Sequence, residues 1–526
     1  MGTVIHKIFA CLAVIGTAGT ASAEVTAWGD LGDGTFANPV LNADYSDPDI
    51  VRVGDRYYLT CSEFHFMGMP VLESEDLVNW NILGQIFDRI DLLGYSDMTK
   101  YAEGTWAPAL KLHDGKVWMY VCTPEEGLFM SRADSPAGPW EPLHMVKGIS
   151  KWEDPCPFWD EDGQAYLVRS RHRAGPIIIH RMSADGREVL DEGVTVYEGQ
   201  VAEGPKVFKK DGWYYISIPE GGVGEGWQTM LRSRDIYGPY ESRRVLEQGS
   251  TEINGPHQGS LVETPEGEWW FAHFQHAGAR GRVMHLQPVR WVDGWPEIGM
   301  DYDGNGVGEP MAVVQKPLCG SAKQFTPQAS DEFDGDRLGI QWQFNHNPEL
   351  DRISVSDGWL SLRPLKATRL RDARNQLTQK LMGYRSEAET AIDWSGMKTG
   401  DRSGLLCIGK KFVGAGIEMV EMEGRSSPVL YMEEDSTVVF RKPLVGLKDD
   451  AKVYIRLAVD TRVNRYAYSY STDGGQTFEL LGESFEMRDG FWKGVRVGLY
   501  AYTLRDTPGE TRFDRFRYSH DGNPSD

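Results

Sequence analysis

Three acidic side chains, Asp47, Asp154 and Glu203, stand at comparable points of three similar stretches of the sequence. Each is followed within two residues by a proline, then by an apolar run, a turn that contains glycine and an aromatic run. Three carboxylates brought to one place can supply an acid, a base and a third charge that shifts the pKa of its neighbour. Hydrolysis of a glycosidic bond uses such a set, because one carboxyl must be protonated while a second is ionised.

The lengths of the three side chains suggest how the roles divide. Glu203 has the longest reach and is the predicted acid, Asp47 is predicted to activate water, and Asp154 is predicted to tune the pKa of Glu203. An aspartate before a proline is often only a turn residue, so each carboxylate taken singly has a structural interpretation. Their shared position in a repeat favours a functional one. The proline after Asp47 predicts an extended backbone for that aspartate.

Five further side chains are candidates for contacts with a substrate, and each keeps a structural alternative. Phe64, His65 and Trp106 can pack in the core or stack on the face of a sugar. Arg282 can form a surface ion pair or hold a substrate hydroxyl. His257 can be a core histidine, a substrate contact or a metal contact made through water.

The carboxylates belong to a repeat of roughly fifty residues, the length of a propeller blade. Copies of its layout begin at Asp47, Trp106, Asp154, Glu203 and His257. Each copy is a small antiparallel sheet that cannot bury both faces alone, so the copies must pack in a ring around an axis. The repeats predict a five-bladed β-propeller in which these five residues converge at one mouth of the axial channel.

The repeat ends before the C-terminal part of the chain. Residues 311–328 carry prolines at positions 317 and 327 and are predicted to be a linker. Beyond them, residues 329–526 contain runs such as Val453–Ala458 that alternate apolar and polar side chains, which predicts a β-sandwich. The predicted architecture is all-β, with the propeller over residues 24–310 followed by the linker and the sandwich.

The N-terminus and the net charge limit where the chain acts and on what. Residues 1–23 have the pattern of a secretory signal peptide, with Lys7, a short apolar run and Ala21-Ser-Ala23 before the cleavage site. Cleavage near Ala23 predicts an exported protein, periplasmic or secreted. The net charge of −22 argues against nucleic acid and anionic membranes as partners and fits a neutral substrate. One of the six cysteines lies in this leader, and the odd number that remains favours free thiols.

Six motifs between Asn38 and Gly299 occur in an order that is typical of one family. They are Tyr45-Ser-Asp-Pro-Asp-Ile-Val-Arg-Val-Gly, Gly104-Thr-Trp-Ala-Pro, Glu153-Asp-Pro-Cys-Pro-Phe-Trp-Asp, Val201-Ala-Glu-Gly-Pro-Lys, Gly255-Pro-His-Gln-Gly-Ser-Leu-Val and Gly281-Arg-Val-Met-His-Leu-Gln-Pro-Val. The chain thus resembles glycoside hydrolase family 43, especially its branch of β-xylosidases and α-L-arabinofuranosidases. Its C-terminal region is similar to the concanavalin-like sandwich of that branch.

The resemblance implies an inverting mechanism on oligosaccharides derived from hemicellulose, with no cofactor required for the chemistry. Asp47 falls on the general base of the family, Asp154 on its pKa modulator and Glu203 on its general acid. Arg282 falls on a substrate-binding arginine. His257 falls on an axial histidine that in many members approaches a bound calcium ion, which implies a Ca²⁺ site at the propeller axis.

Two positions depart from the pattern of the family. Ser46 replaces a proline found in many members, and Lys206 replaces the His or Thr that often follows Glu-Gly-Pro. The second change predicts an altered pocket edge. In this family the sandwich also closes one side of the active site, and Phe491 and Trp492 are candidates for that role.

The favoured interpretation is an exo-acting hydrolase that releases xylose and/or arabinofuranose. The alternatives are a non-catalytic propeller that captures glycans, which would tolerate the loss of a carboxylate, and an endo-acting hydrolase, which needs an open cleft. An inverting mechanism predicts a separation of about 6.5–9.5 Å between the Asp47 and Glu203 carboxyl groups, against about 5–5.5 Å for a retaining pair.

Overall fold

The computed structural model describes residues 28–64, 68–97, 99–100, 103–320, 324, 327–447, 451–490 and 492–521. The predicted signal peptide, His65 and Phe491 lie outside these ranges. Within them the chain is all-β and contains no α-helix, only 3-10 turns at Gly278–Arg280, Leu350–Arg352 and Leu370–Asp372. In this part of the chain, no helix has the length and apolar character needed to cross a membrane.

The N-terminal domain is a propeller of five four-stranded antiparallel sheets, each formed by one continuous stretch of chain. After β1 (Thr35–Ala37), blade 1 contains β2 (Asp49–Val53), β3 (Arg56–Thr60), β4 (Pro70–Ser74) and β5 (Asn81–Gln85). Blade 2 contains β6 (Trp106–His113), β7 (Lys116–Thr123), β8 (Gly127–Ala133) and β9 (His144–Gly148). Blade 3 contains β10 (Trp152–Trp159), β11 (Ala165–Arg171), β12 (Ile177–Met182) and β13 (Val194–Tyr197). Blade 4 contains β14 (Lys206–Lys210), β15 (Trp213–Glu220), β16 (Trp227–Ser233) and β17 (Glu241–Leu246), and blade 5 contains β18 (His257–Glu263), β19 (Trp269–His276), β20 (Arg282–Val292) and β21 (Trp295–Ile298).

The alternation of side chains explains why the blades depend on one another. In β11, Leu167 belongs to an apolar cluster shared with blade 2, whereas its neighbour Val168 belongs to a cluster shared with blade 4. Successive residues of a strand face opposite sides of the sheet, so each blade has two apolar faces to cover. In the ring, each apolar face of a blade packs against a neighbouring blade, and this arrangement confirms the predicted propeller.

The ring closes without a strand shared between the first and last blades. β2 packs against β18, and the Ile50 N–H donates to Ser260 Oγ at 2.8 Å. β1 pairs with β22 (Val313–Gln315), which lies in the segment predicted as a linker. Leu41 forms a bridge with Met284 of β20. The stretch before blade 1 and the stretch after blade 5 therefore hold the two ends of the propeller together.

The C-terminal domain is a sandwich of two eight-stranded sheets. The first sheet contains β23 (Gln343–Phe344), β26 (Leu365–Lys366), β27 (Leu377–Lys380), β29 (Asp401–Ile408), β30 (Phe412–Met422), β31 (Arg425–Glu434), β32 (Thr437–Pro443) and β37 (Arg496–Thr503). The second contains β24 (Ile353–Ser356), β25 (Trp359–Leu362), β28 (Arg385–Asp393), β33 (Val453–Asp460), β34 (Arg465–Ser471), β35 (Glu479–Leu480), β36 (Phe485–Glu486) and β38 (Thr511–His520). Every second side chain of β33 is buried between the sheets, as the alternation in its sequence predicts.

The cysteines of the described residues are all free thiols. Cys61, Cys122, Cys156 and Cys407 are buried, and Cys319 is partly exposed. This confirms the prediction made from their odd number.

A buried ion cluster joins the propeller to the sandwich. Glu63 follows the second strand of blade 1, and its carboxylate accepts from Lys380 Nζ and from Arg496 Nη2, both at 2.7 Å. Arg496 also donates to Gln343 Oε1 at 2.6 Å. The Glu63 and Arg496 side chains are each 2% exposed, so this ion pair is shielded from water.

Replacing Arg496 with Met is expected to lower the free energy of unfolding by about 3–5 kcal/mol, because it leaves a buried carboxylate with one of its two cations. The exposed Arg488–Glu486 pair supplies the control, and Arg488→Met is expected to change stability little. Chemical denaturation of both variants measures the difference. Equal stabilities would contradict the role given to the cluster.

Candidate active site

The candidate site lies where the inner strands of the five blades begin. At this point one residue of each blade has its backbone in the left-handed region. These residues are Asp47 (φ 53°), Ala107 (φ 37°), Asp154 (φ 55°), Gly204 (φ 55°) and Gln258 (φ 28°). The extended backbone predicted for Asp47 from the following proline is therefore wrong, because the turn into the blade sets its conformation.

The left-handed residues place two adjacent rings of side chains at one mouth. The ring formed by the residues just before them consists of Ser46, Trp106, Glu153, Glu203 and His257. Asp47 and Asp154 thus stand one residue later in the repeat than Glu203, whereas the repeats as aligned from the sequence alone placed all three at the same position. In a regular strand this offset would send the two sets to opposite faces. Here both face the same site.

Asp47 is held by three donors. Ser46 Oγ and Ser62 Oγ donate to Asp47 Oδ2 at 2.7 and 2.5 Å, and Arg282 Nη1 lies 3.1 Å from Asp47 Oδ1. The Ser62 hydroxyl in turn accepts from the Ala107 N–H of blade 2 at 2.7 Å. These contacts fix the orientation of the carboxylate.

Arg282 is a fixed part of the site and not a surface ion-pair partner. It begins β20, and Nη1 also donates to Ser46 Oγ at 2.8 Å. Its guanidinium carbon lies 4.7 Å from the ring centroid of Phe274 and 5.6 Å from that of Phe64. Only 7% of the residue is exposed. The contact with Asp47 and the two rings hold its charge at the mouth of the channel.

Asp154 and Glu203 meet a third carboxylate, Glu153. One oxygen of each of these three residues lies within 4.8 Å of the others. Asp154 Oδ2 accepts from the Gly204 N–H at 2.6 Å and from Ser170 Oγ at 3.0 Å. The structure therefore brings together Asp154 and Glu203 as the repeats predicted, and adds a carboxylate.

The packing of acids raises pKa values in this group. Burial raises the pKa of the Asp154 carboxyl, and the charges of Glu203 and Asp47 raise it further. Burial also raises the pKa of Glu153, with the charge of Asp154 as the next cause. Like charges this close disfavour full ionisation, so the group retains a proton above the pH at which an ordinary carboxyl loses it.

Glu153 is a site residue that the sequence did not single out. Its Oε2 accepts from the Arg173 N–H at 2.9 Å and lies 3.0 Å from His172 Nδ1. The pairing of β10 with β11 shifts between Glu153 and Cys156, and Asp154 has a positive φ. This β-bulge turns two consecutive acids toward one site. The adjacent Glu-Asp pair was the available signal, but it does not reveal a bulge.

The Glu153→Gln variant is expected to lose less stability than the parent as the pH rises. A carboxyl whose pKa is raised by folding stabilises the native state below its unfolded pKa of about 4, and this contribution is lost as the pH rises through the higher native pKa. Glutamine removes that loss. Thermal unfolding at pH 5 and pH 8 measures it, with Glu188→Gln of an exposed residue as the control. Parallel pH profiles for Glu153→Gln and the parent would contradict the prediction.

His257 stands beside the predicted acid. Its Nε2 lies 3.1 Å from Glu203 Oε1, and its ring centroid lies 5.3 Å from that of Phe274. The residue has no exposed surface, and its Nδ1 has no hydrogen-bond partner within the described part of the chain. His257 is thus an axial residue in contact with the site.

The predicted aromatic residues form one wall. Phe64 and Trp106 pack edge to face with ring centroids 5.3 Å apart. The Trp106 ring also lies 5.2 Å from that of His172, the neighbour of Glu153. Phe64 is buried and Trp106 is partly exposed, so the tryptophan is the ring that a ligand can reach.

The sandwich reaches the site through the loop around Trp492. The Trp492 ring lies 5.8 Å from the guanidinium carbon of Arg282 and is half exposed. Two residues further on, the Gly494 N–H donates to Asp44 Oδ2 at 2.9 Å, while Asp44 Oδ1 accepts from the Arg282 N–H. The second domain therefore contributes a side chain next to the substrate-binding candidate Arg282.

The calcium ion implied for the axis does not fit the residues that line the channel below its mouth. Ca²⁺ takes about six to eight oxygen ligands, and the carboxylate cluster of Glu153, Asp154 and Glu203 lies at the mouth itself. Deeper in the channel, Lys206 Nζ donates to Pro108 O at 2.7 Å and lies 3.3 Å from Asp49 Oδ2. Lys206 therefore points down the axis and does not form the pocket edge that was predicted for it. Its ammonium group brings a positive charge to the channel.

The fold and the site together define a class of protein. A five-bladed propeller places a group of closely spaced carboxylates at one mouth, beside a fixed arginine and an aromatic wall. A concanavalin-like sandwich covers one side. These are the features of a propeller-based glycoside hydrolase.

Comparison with known proteins gives the family. Residues 36–296 match the model of glycosyl hydrolases family 43, and residues 330–519 match that of the β-xylosidase C-terminal concanavalin A-like domain. A putative β-xylosidase of Xylanibacter ruminicola is 49% identical over 90% of this chain and 88% of its own length. The chain belongs to glycosyl hydrolases family 43.

Two further relatives agree with this assignment. A β-xylosidase of Formosa agariphila is 35% identical over 95% of this chain and 93% of its own length. The solved structure of a bifunctional GH43-CE protein of Bacteroides eggerthii superposes with a TM-score of 0.80 at 28% identity. That match covers 93% of this chain and 64% of the longer bifunctional protein.

Proposed function

We propose that this enzyme is an exo-acting, inverting glycosidase that releases xylose and/or arabinofuranose from hemicellulose oligosaccharides. The observation that carries the proposal is the convergence of Asp47, Asp154 and Glu203, from three different blades, at one mouth of the channel. The charges of Glu203 and Asp47 both act on the Asp154 carboxyl. An inverting glycosidase uses one carboxyl group as acid and a second carboxylate as base, and we assign these roles to Glu203 and Asp47.

In this mechanism Glu203 protonates the glycosidic oxygen as the bond to the anomeric carbon breaks. Asp47 takes a proton from the water molecule that attacks the opposite face of the sugar ring, so the product has the inverted configuration. Asp154 takes no part in making or breaking the bond, and it is held beside Glu203 by the Gly204 N–H and by Ser170 Oγ. Arg282 holds Asp47 and presents the remaining donors of its guanidinium group to a sugar hydroxyl.

The substrate class follows from the wall and from the relatives. Trp106 offers a ring face against which an apolar sugar face can stack. Trp492 of the sandwich lies on the side of Arg282, which favours a closed pocket over the open cleft of an endo-acting enzyme. Two relatives with high coverage are named putative β-xylosidase and β-xylosidase, which supports a pentose as the released sugar.

A panel of aryl β-xylosides and α-L-arabinofuranosides, together with xylo-oligosaccharides of increasing length, tests this proposal. We expect release of monosaccharide from the non-reducing end of at least one series. Release of internal fragments from long chains would indicate an endo-acting enzyme. Binding of the oligosaccharides without any turnover would contradict the proposal and favour glycan capture.

We also propose that the chain is exported after cleavage near Ala23. The support is the sequence of residues 1–23, with its basic start, apolar run and small residues before the cleavage site. Expression of the full chain followed by cell fractionation and N-terminal sequencing tests this. We expect a mature N-terminus near Glu24 in the periplasm or medium, and an intact Met1 in the cytoplasm would contradict it.

A further inference from the structure

Lys206 makes contacts that only a side chain crossing the propeller axis can make. It belongs to blade 4, yet its Nζ donates to Pro108 O of blade 2 at 2.7 Å and lies 3.3 Å from Asp49 Oδ2 of blade 1. In a ring of five, blade 4 has blades 3 and 5 as its neighbours. The ammonium group therefore lies in the axial channel, and only 7% of the residue is exposed.

A second lysine crosses the channel in the opposite direction. Lys111 of blade 2 donates through Nζ to Val207 O of blade 4 at 3.3 Å. Asp49 Oδ2 also accepts from the Leu110 N–H at 2.7 Å. The ammonium groups of Lys206 and Lys111 therefore both interact with one carboxylate, that of Asp49. This carboxylate already accepts a hydrogen bond from the Leu110 N–H.

The side chains level with Lys206 leave little for a hard cation to bind. In each blade, the residue two positions after the residue with left-handed backbone lies at the level of Lys206. These five residues are Asp49, Ala109, Cys156, Lys206 and Ser260. The Ser260 hydroxyl accepts from the Ile50 N–H at 2.8 Å, and Cys156 Sγ accepts from the Val207 N–H at 3.4 Å. Calcium prefers several carboxylate or carbonyl oxygens, and in this ring Asp49 is the one carboxylate, with the Lys206 ammonium group 3.3 Å from it.

We infer that the Lys206 ammonium group is the built-in cation of this propeller axis, and that it replaces the calcium ion found at the axis of many related propellers. It ties blade 4 to blades 1 and 2 through Asp49 and Pro108. Together with Lys111 it repels a divalent cation from the channel. The inference concerns the stability of the fold and does not depend on which sugar the enzyme releases.

Metal analysis and thermal unfolding of the full chain test this inference. We expect far less than one calcium ion per chain after dialysis, and the same unfolding midpoint in chelator and in millimolar Ca²⁺. One retained calcium ion per chain, or a midpoint that falls by several degrees in chelator, would overturn it. This arm needs no variant.

Variants of the Lys206–Asp49 ion pair test the role of Lys206 directly. Lys206→Met is expected to lower the midpoint by roughly 5–10 °C, because Asp49 loses its cation in a buried setting. The neutral double variant Lys206→Met/Asp49→Asn should recover part of that shift. Lys366→Met, from the exposed pair with Asp506, is the control and should leave the midpoint unchanged. A Lys206→Met variant that matches the parent would overturn the inference, and a single variant that fails to fold while the double variant folds would support it.

Discussion

Replacing Glu203 with Gln is expected to lower kcat on xylo-oligosaccharides or alkyl xylosides by about 10²–10⁴-fold, the usual contribution of a general acid. The effect follows from the leaving group, since an alkoxide must be protonated as the bond breaks. An aryl glycoside whose phenol is a good leaving group needs little protonation, so the variant should keep most of its activity on such a substrate. Steady-state kinetics over a series of leaving groups measures this dependence.

The exposed Glu198, five residues earlier, supplies a matched control for the loss of a carboxylate. Glu198→Gln should behave as the parent on every substrate. An equal loss for Glu203→Gln on all leaving groups would assign this residue a different role. Full activity on the alkyl glycoside would remove it from the chemistry altogether.

Replacing Asp47 with Asn is expected to lower kcat by a similar factor of about 10²–10⁴, but for good and poor leaving groups alike. Asparagine has the size of aspartate, and its one amide oxygen can take the place of Oδ2, which accepts from Ser62 Oγ. Its amide nitrogen then takes the place of Oδ1 and loses the contact with Arg282 Nη1 on that side. What the amide cannot do is accept a proton from the attacking water. A better leaving group does not remove the need for a base that activates the water molecule.

The two variants thus differ in the slope of rate against leaving-group pKa, and this difference tests the assignment of acid and base. If the rate of Asp47→Asn depended steeply on leaving-group pKa and that of Glu203→Gln did not, Asp47 would be the acid and Glu203 the base. Far-ultraviolet circular dichroism and unfolding midpoints close to the parent value show that the fold is intact in each case.

The sequence predicts the blades because their signals are local. An apolar run, a turn at Gly163 and an aromatic run specify a hairpin without reference to the rest of the chain, and the same pattern recurs in each blade. The positions of Asp47, Asp154 and Glu203 at the start of inner strands follow from the same repeat. Convergence at one mouth is then a consequence of the ring.

Other parts of the site depend on a backbone conformation that cannot be predicted from the type of any single residue. Glu153 joins Asp154 and Glu203 because Asp154 has a positive φ and the strand bulges there. A regular strand, which is the default expectation, would send Glu153 to the opposite face. The offset between Asp47 and Glu203 in the repeat has the same origin.

Long-range contacts are the remaining part that the sequence does not reveal. Arg282 of blade 5 reaches Asp47 at the start of blade 1, and Lys206 crosses the axis to a blade that is not its neighbour. β22 pairs with β1 from within the segment predicted as a linker. Each contact joins residues that are distant in sequence and near only in the closed fold, so composition and spacing carry no signal for it.

The most direct test of the central claim is the anomeric configuration of the sugar first released. Proton NMR of an aryl glycoside that the enzyme cleaves rapidly would be followed before mutarotation mixes the anomers. If Glu203 acts as acid and Asp47 activates water, the first product has the configuration opposite to that of the substrate, so a β-xyloside gives α-xylose. Retention of configuration would mean that a carboxylate attacks the sugar itself, and it would contradict the mechanism proposed for these three residues.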